Sequence, residues 1–562
     1  MNDPKLLAQD GWTPSEGNPQ FHQQMVYAVA MTTILHFEQA LGRRSLWAPH
    51  FPKDSAGSDG SDNIECVEVP RLRLYPHALR TENAYYSPDK MAILFGYFPA
   101  QSENGDATPP GSMVFTSLSS DIIAHETTHA LLDGLHRRFQ EASNIDVPAF
   151  HEGFADIVAL FQHFTITELV RHEISRLRGN LFEEGLLGGM ARQFGEGIAK
   201  RGPLRNYTKA DPENLRYSKL EEAHERGSIL VYAVYDAFRH IVELRTADLI
   251  RLATGGRGVL PAGDIHPDLV ERVTIETCKT AKHVLHICIR ALDYCPPVDI
   301  TFGDYLRALI TADLDVAKDD RRFGYRVAFI EAFRTWGIFP GGVRTFSEET
   351  LAWNTLEEPK PKWLKSAIKV IDINWNVDPS RSKIFELNNR NRKSLFVVLT
   401  TLFEKNPDLY EQFGLKAGVP KFKADGTIDE ERLAPRSTFG VHNVRRVRRT
   451  ALDGTYRGEI VVSITQRQAI PYDGKNVANG FFWFRGGATL ILDPRAGEES
   501  IRYSIVKNSG SESRCERQKK LLGLNMLSPL RALYFGGDTN NGNGATEPFA
   551  MMHAGHGEFG DD

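Results

Sequence analysis

Between residues 20 and 42 the chain reads FHQQMVYAVAMTTILHFEQALGR, with apolar side chains recurring every three to four positions, which predicts one long amphipathic helix. From 46 to 100 the apolar and aromatic runs shorten and are broken by turn formers such as SAGSDGSDN, so strands are expected there. MVFTSL then leads into SSDIIAHETTHALLDGLHRRF, where Ser119 or Ser120 is placed to cap a helix running past His129. A second helix is expected from about Ala149 to His163, and helical patterns continue through 165–200, 226–251, 265–293 and 302–337. After residue 340 the character changes. SEETLAWNTLEEPKPKWLKS contains P-K-P and reads as a linker, and a separate α+β unit follows, with a helix over 394–413 and strands in IVVSITQ, FFWFRGGATLIL and RYSIV. The end, GGDTNNGNGATEPFAMMHAGHGEFGDD, has the Gly/Asn-rich composition of a flexible tail.

Composition narrows the class without deciding it. A chain of 562 residues exceeds one core and calls for several domains. A net charge of -5 argues against a dedicated nucleic-acid binder. Cys66, Cys278, Cys288, Cys295 and Cys515 are odd in number and lack C-x-x-C spacing, so neither a disulfide framework nor a thiolate metal site is expected. The polar start has no basic segment followed by an apolar one, and no apolar run reaches 18 residues. The expected location is therefore the cytoplasm, with export by a signal-independent route left open.

The chemistry concentrates in His125-Glu126-Thr127-Thr128-His129. Positions i and i+4 of a helix share one face, so both imidazoles can reach a single ion. Glu126 stands beside the first of them, where a general base toward water is needed. A catalytic zinc leaves one coordination position open and so takes one further protein ligand; Glu152, opening HEGFAD, is the candidate. Asp156, one turn on, is placed to accept the second N–H of a ligating histidine. His136 and His151 flank the motif and read as surface or helix-end residues.

With these residues in this order, the chain resembles the thermolysin-like family of gluzincin zinc metallopeptidases over about residues 20–340. NAYYSPDKMAILFGYF (83–98) is similar to the family's substrate-holding edge strand. LRNYTKADPENLRYSKLEEAHERGSI (204–229) is similar to the segment bearing its substrate-clamping arginine and transition-state histidine, and IRALDYCPPVDITFGDYLRALITADLDV with EAFRTWGIF to its closing helices. The resemblance implies an α+β, two-lobed catalytic unit. After an extension over 1–19, a mixed β/α lobe spans 20–164 and a mainly helical lobe 165–342. A linker (343–365), an α+β accessory domain (366–535) and a flexible tail (536–562) would follow. It implies one catalytic Zn2+ held by His125, His129 and Glu152, with Glu126 as base and Asp156 orienting a ligand. His224 would donate to the oxyanion, Arg205 would hold a substrate carbonyl, and Asn83 and Ala84 would pair with the peptide backbone. The expected reaction is cleavage of an internal peptide bond before an apolar residue, with Ile122 and Leu204 as pocket walls.

The chain departs from the family in three places. The family's tyrosine in the loop after the metal helix is missing, leaving His136, Arg137 or Arg138 as substitutes, or His224 acting alone. Asp121 matches one structural calcium ligand, but His163 stands where a carboxylate is wanted, so the double calcium site is not expected. Signal and propeptide segments typical of secreted members are not apparent. The alternatives are a catalytically weak or inactive binding module on the same fold, and a zinc aminopeptidase, for which no acidic cluster is evident. Beyond 366, Arg445-Arg446-Val447-Arg448-Arg449 reads as a solvated loop or strand edge, and Phe481–Phe484 as core plus an edge, within a recognition or regulatory module. The tail's apolar patch, Glu547–Met552, offers a self-masking segment if it docks in the active-site cleft.

Overall fold

The computed structural model describes residues 4–50, 66–100, 109–177, 189–190, 205–206, 212, 215–260, 263–317, 319–320, 322–354, 362–373, 380–418, 420–423, 425–433, 439–450, 456–495, 500–525, 549–550 and 553. Within them the chain is mixed α and β. Helix α1 (Pro19–Leu41) starts at Asn18, whose side chain accepts from the Gln20 amide, and is stopped by Gly42 in the left-handed conformation. A sheet follows, built from β1 (Arg73–Leu79), β2 (Ala84–Ser87), β3 (Ala92–Pro99) and β4 (Met113–Phe115), in the order β1-β3-β2 with β4 also on β3. β1 runs parallel to β3, while β2 runs antiparallel and forms the edge.

Two helices carry the motif residues, α2 (Ser120–Leu135) and α3 (Asp146–His163). α3 starts three residues earlier than its apolar pattern predicts, because the Asn144 side chain receives the Asp146 amide at 2.7 Å. Every residue from Asp146 to Gln162 is buried, so α3 is the axis of the molecule rather than a surface helix. α4 (Thr167–Arg176), α5 (Ala223–Ala253), α6 (Pro267–Ala291), α7 (Phe302–Val316) and α8 (Tyr325–Thr335) complete this part. The helical pattern over 302–337 resolves into two helices, α7 and α8. α3 and α5 meet backbone to backbone: a Cβ on Gly153 would lie 2.5 Å from the Gly227 carbonyl oxygen. Asp146 pins the same junction, accepting from Arg226 Nε at 2.6 Å and from the Tyr217 hydroxyl and Phe302 amide.

The C-terminal region begins with α9 (Lys362–Lys369) and α10 (Arg381–Lys405), continues through the antiparallel strands β5 (Phe439–Thr450), β6 (Tyr456–Pro471), β7 (Phe481–Asp493) and β8 (Ser500–Lys507), and adds α11 (Glu512–Asn525). The sheet order is β8-β7-β6-β5. Ile460, Val462, Ile464, Leu490 and Leu492 face α9 and α10. Val447, Val461, Ile491, Tyr503 and Ile505 face the other way, into the core shared with α1–α8. A sheet that is apolar on both faces must be covered on both. The unit expected to stand apart is therefore packed onto the rest.

Two further expectations change. Residues 343–354, read as linker, lie on the helices: Leu351 is buried, and the Trp353 indole donates to the Tyr294 carbonyl at 2.9 Å. The arginine cluster lies on the edge strand β5, but only Arg448 is exposed in the solvated sense. Arg445 donates to the Gly134 and Leu135 carbonyls at 2.9 Å each, giving α2 a cation at its C-terminus, and burial pushes its pKa down to about 9. Arg449 lies over the Tyr294 ring. In the aromatic run, Phe482 and Phe484 are buried while Phe481 and Trp483 are half-buried. Among the described residues, no helix is long and apolar enough to cross a membrane.

Candidate metal centre

α2 and α3 pack side by side, and their buried polar faces meet. His125 Nε2 and His129 Nε2 lie 2.9 Å apart, on the same face of α2. Glu152 enters from α3, with Oε2 3.3 Å from His125 Nε2 and Oε1 3.5 Å from His129 Nε2. A tetrahedral zinc with bonds near 2.0 Å separates its ligand atoms by about 3.3 Å. Each imidazole thus stands near that separation from a Glu152 oxygen, a different one for each ring, while the two rings lie closer together. Both oxygens of Glu152 are buried, and a buried carboxylate is costly unless cationic groups or a metal ion stand against it.

The surrounding residues fix the ligands' orientation. His125 Nδ1 lies 2.7 Å from Asp156 Oδ1, which turns Nε2 toward the centre. Burial opposes a charge on His125, but Asp156 and Glu152 outweigh it and lift its pKa to about 10. Burial holds His129 well below the usual range, and so in its neutral form. Burial also favours the acid form of Glu152, yet His224, His129 and His553 together bring it well below an ordinary carboxylate. Glu126 takes the Tyr86 amide on Oε2 at 2.8 Å, and burial raises its pKa. The Tyr86 hydroxyl in turn donates to Asp133, one turn beyond His129 on α2.

His151 is a residue that the sequence reading misjudged. It is buried, and its Nδ1 lies 3.0 Å from His129 Nδ1, where Asp156 stands for His125. Burial lowers its pKa to about 4, so it faces His129 as a neutral ring. The early start of α3 turns an expected helix-end residue into an interior one.

The remaining expected residues fall as follows. His224, at the start of α5, has Nε2 3.2 Å from Glu152 Oε2 and Nδ1 3.0 Å from Glu222. Asn83 and Ala84 border the centre at the β2 edge, but what they hold is the chain's own end. Asn83 Nδ2 donates to the Ala550 carbonyl at 3.0 Å, and the Ala84 carbonyl accepts from His553 Nδ1 at 2.9 Å. The backbone of Arg205 pairs with Met190; its side chain and Leu204 lie outside the described residues. Ile122 packs against Phe98, Ala100 and Val114.

None of the three proposed tyrosine substitutes faces the metal residues. His136 Nε2 is held by the Leu292 carbonyl at 2.7 Å, Arg137 donates to Pro49, and Arg138 pairs with Glu141. His163 forms a 2.7 Å ion pair with Asp121, so a side-chain cation occupies the calcium-type position; Asp121 overrides burial and raises the histidine's pKa. The sequence reading missed His553 altogether, although the apolar patch just before it was visible. Compared with known proteins, the chain matches no protein-family model and no curated protein.

Proposed function

We propose that this protein is a zinc-dependent endopeptidase of the thermolysin-like kind, with the metal on His125, His129 and Glu152 and with Glu126 as the general base. The observation that carries this reading is the buried convergence of two imidazoles one helical turn apart with a carboxylate from the next helix, all within 3.5 Å, beside a second carboxylate. The β2 edge on one side and the start of α5 on the other are consistent with a cleft between a mixed lobe (20–164) and a helical lobe (165–342).

When bound, zinc supplies a Lewis acid that polarises water and the scissile carbonyl. Asn83 and Ala84 on the β2 edge would hold an extended peptide by its backbone. Glu126 then takes a proton from the attacking water and delivers it to the leaving nitrogen as the C–N bond breaks. Its raised pKa makes it a stronger base than a solvated carboxylate, and the Tyr86 amide keeps it aimed. His224 donates from Nε2 to the developing oxyanion. Because its Nδ1–H points to Glu222, this donation needs the doubly protonated ring.

The test is zinc content and hydrolysis of a quenched apolar peptide, measured with and without Glu126→Gln. Both chains carry Phe549→Asp and His553→Ala, so that the tail does not compete. One zinc per chain is expected in each, with hydrolysis lowered by roughly 10²–10⁴-fold in the Glu126→Gln protein. Absence of zinc from both would overturn the metal assignment. Zinc in both without hydrolysis in either would leave a binding module on this scaffold.

A further inference from the structure

The end of the chain occupies the cleft with more than an apolar side chain. Phe549, Ala550 and His553 are helical, which puts residues 549 and 553 one turn apart on the same side. The Phe549 ring is buried against His129, His151 and Tyr86, at centroid distances of 4.5, 5.2 and 5.9 Å. His553 is also buried, with ring centroids 5.4, 5.6 and 5.9 Å from those of His125, His129 and His224.

The orientation of the His553 ring identifies its role. Its Nδ1 faces the Ala84 carbonyl, which can only accept, so Nδ1 carries a ring proton and Nε2 is the nitrogen left facing the centre. That Nε2 lies 3.4 Å from Glu152 Oε2, the same separation that relates Glu152 to His125 and His129. Nδ1 held by an outer acceptor and Nε2 turned inward also describe His125, with Asp156 as its acceptor. One donor atom each from His125, Glu126, His129 and His553 fits within 4.8 Å, as does one each from Glu152, His224 and His553.

We infer that His553 is a fourth protein ligand to the metal of this centre and that the chain's own end thereby holds the enzyme latent. The inference rests on the metal assignment proposed above. A zinc site that works as a catalyst keeps one position open, and one closed by four protein ligands is structural. His553 converts the first into the second. The tail also takes the Asn83 and Ala84 groups that an incoming peptide needs, and its imidazole lies 3.3 Å from the Glu126 carboxylate. Coordination, substrate pairing and base are blocked by one segment. Because the segment is tethered, a free peptide competes with an intramolecular ligand at an effective concentration in the millimolar range. Withdrawal or proteolytic removal of the tail is the corresponding activation step, and it requires no rearrangement of α2 or α3.

The test uses the full chain loaded with cobalt(II), whose visible absorption reports coordination, and compares it with His553→Ala. The intact protein is expected to bind one cobalt, give a spectrum insensitive to added 2-mercaptoethanol, and release the ion slowly to a chelator. His553→Ala should bind one cobalt with an altered spectrum that shifts on adding the thiol, release it at least ~10-fold faster, and cleave peptide faster. Phe549→Asp keeps the imidazole but removes its anchor, and should show the same thiol response if His553→Ala fails to fold. One cobalt in all three proteins with identical spectra and thiol responses would overturn His553 as a ligand while leaving the metal site standing. No cobalt in the intact protein would overturn both.

Discussion

Among the described residues, two of the buried polar clusters are assembled on opposite terms. The first sits where α6 and α7 meet the C-terminal sheet. There Arg43 grips Asp293 with both terminal nitrogens at 2.6 and 2.7 Å, Arg449 lies 2.8 Å from Glu459, and Arg502 pairs with Glu459 and with Asp315 at 2.5 Å. Tyr503 donates to Asp315 as well, and Tyr294 bridges Arg449 and Asp315. Three guanidinium groups face three carboxylates, and the cluster is neutral by itself. The second is the α2/α3 centre, where Glu152 faces four histidines: His125, His129, His224 and His553. The first cluster balances its carboxylates with guanidinium groups, whose charge is permanent; the second sets a buried carboxylate among imidazoles, whose charge follows their protonation.

The largest effect should come from removing Glu152. Glu152→Ala is expected to weaken zinc binding by well over the roughly 100-fold typical of losing a supporting partner, and to abolish peptide hydrolysis, while the metal-free chain keeps its fold. Equilibrium zinc titration against a chelator and circular dichroism check this pair of outcomes. Unfolding of the metal-free variant would show that Glu152 holds the structure as Asp293 does, and the contrast would fail.

The converse substitution lies in the first cluster. Arg449→Met leaves Asp293 and Glu459 buried with less than their full countercharge, and breaking a buried pair in this way costs about 3–5 kcal/mol. Denaturant unfolding should show that loss, with the zinc stoichiometry of the folded protein unchanged. Loss of zinc at the same time would mean that the C-terminal sheet supports the centre more directly than Arg445 at the end of α2 already indicates.

What the sequence disclosed follows the same division. The inner shell was legible because helical periodicity alone places His125 beside His129 and Asp156 one turn beyond Glu152, and the structure brings all four together. The existence of most helices and of β6, β7 and β8 was legible for a similar reason, since their apolar repeats are local. β5 was legible only as a loop or strand edge, and the burial of its arginines was not, because they look like a solvated run until Gly134, Leu135, Asp293 and Glu459 are seen to receive two of them. The apparent independence of the C-terminal unit failed for a related reason: the pattern shows that both faces of the sheet are apolar, but not that α1–α8 cover one of them. His151 and His553 depend on where a helix begins and where a distant segment returns, and neither is written in local spacing.

His151 offers a finer probe of the second cluster. His151→Ala removes the ring facing His129 Nδ1 and should weaken zinc binding by about 10–100-fold, less than the loss of Glu152. His151→Asn, which can still accept from the His129 ring, is expected to recover part of that loss in the same titration. Equal affinities for all three proteins would make His151 a packing residue only.

The smallest effect separates both clusters from plain burial. Both ring nitrogens of His36 on α1 are buried without hydrogen-bond partners; the ring lies against His286 and near Lys282, and burial, followed by Lys282, lowers its pKa from 6.5 to about 4. The folded protein therefore binds this proton less readily than the unfolded chain does. Its contribution is intact above pH 6.5, is lost as the pH falls from 6.5 toward 4, and changes no further below that. The slope is at most about 1.4 kcal/mol per pH unit, giving roughly 1 kcal/mol between pH 6.5 and 5.5. Acid also strips a metal from its ligands, so intact holoprotein would mix two causes. The metal-free Glu152→Ala chain removes that second cause, and adding His36→Leu should lower the slope of stability against pH over that interval by one histidine's share. An unchanged slope would place the acid sensitivity in other buried groups, among which His286 and His136, both lowered to about 3 by burial first, are the next to replace.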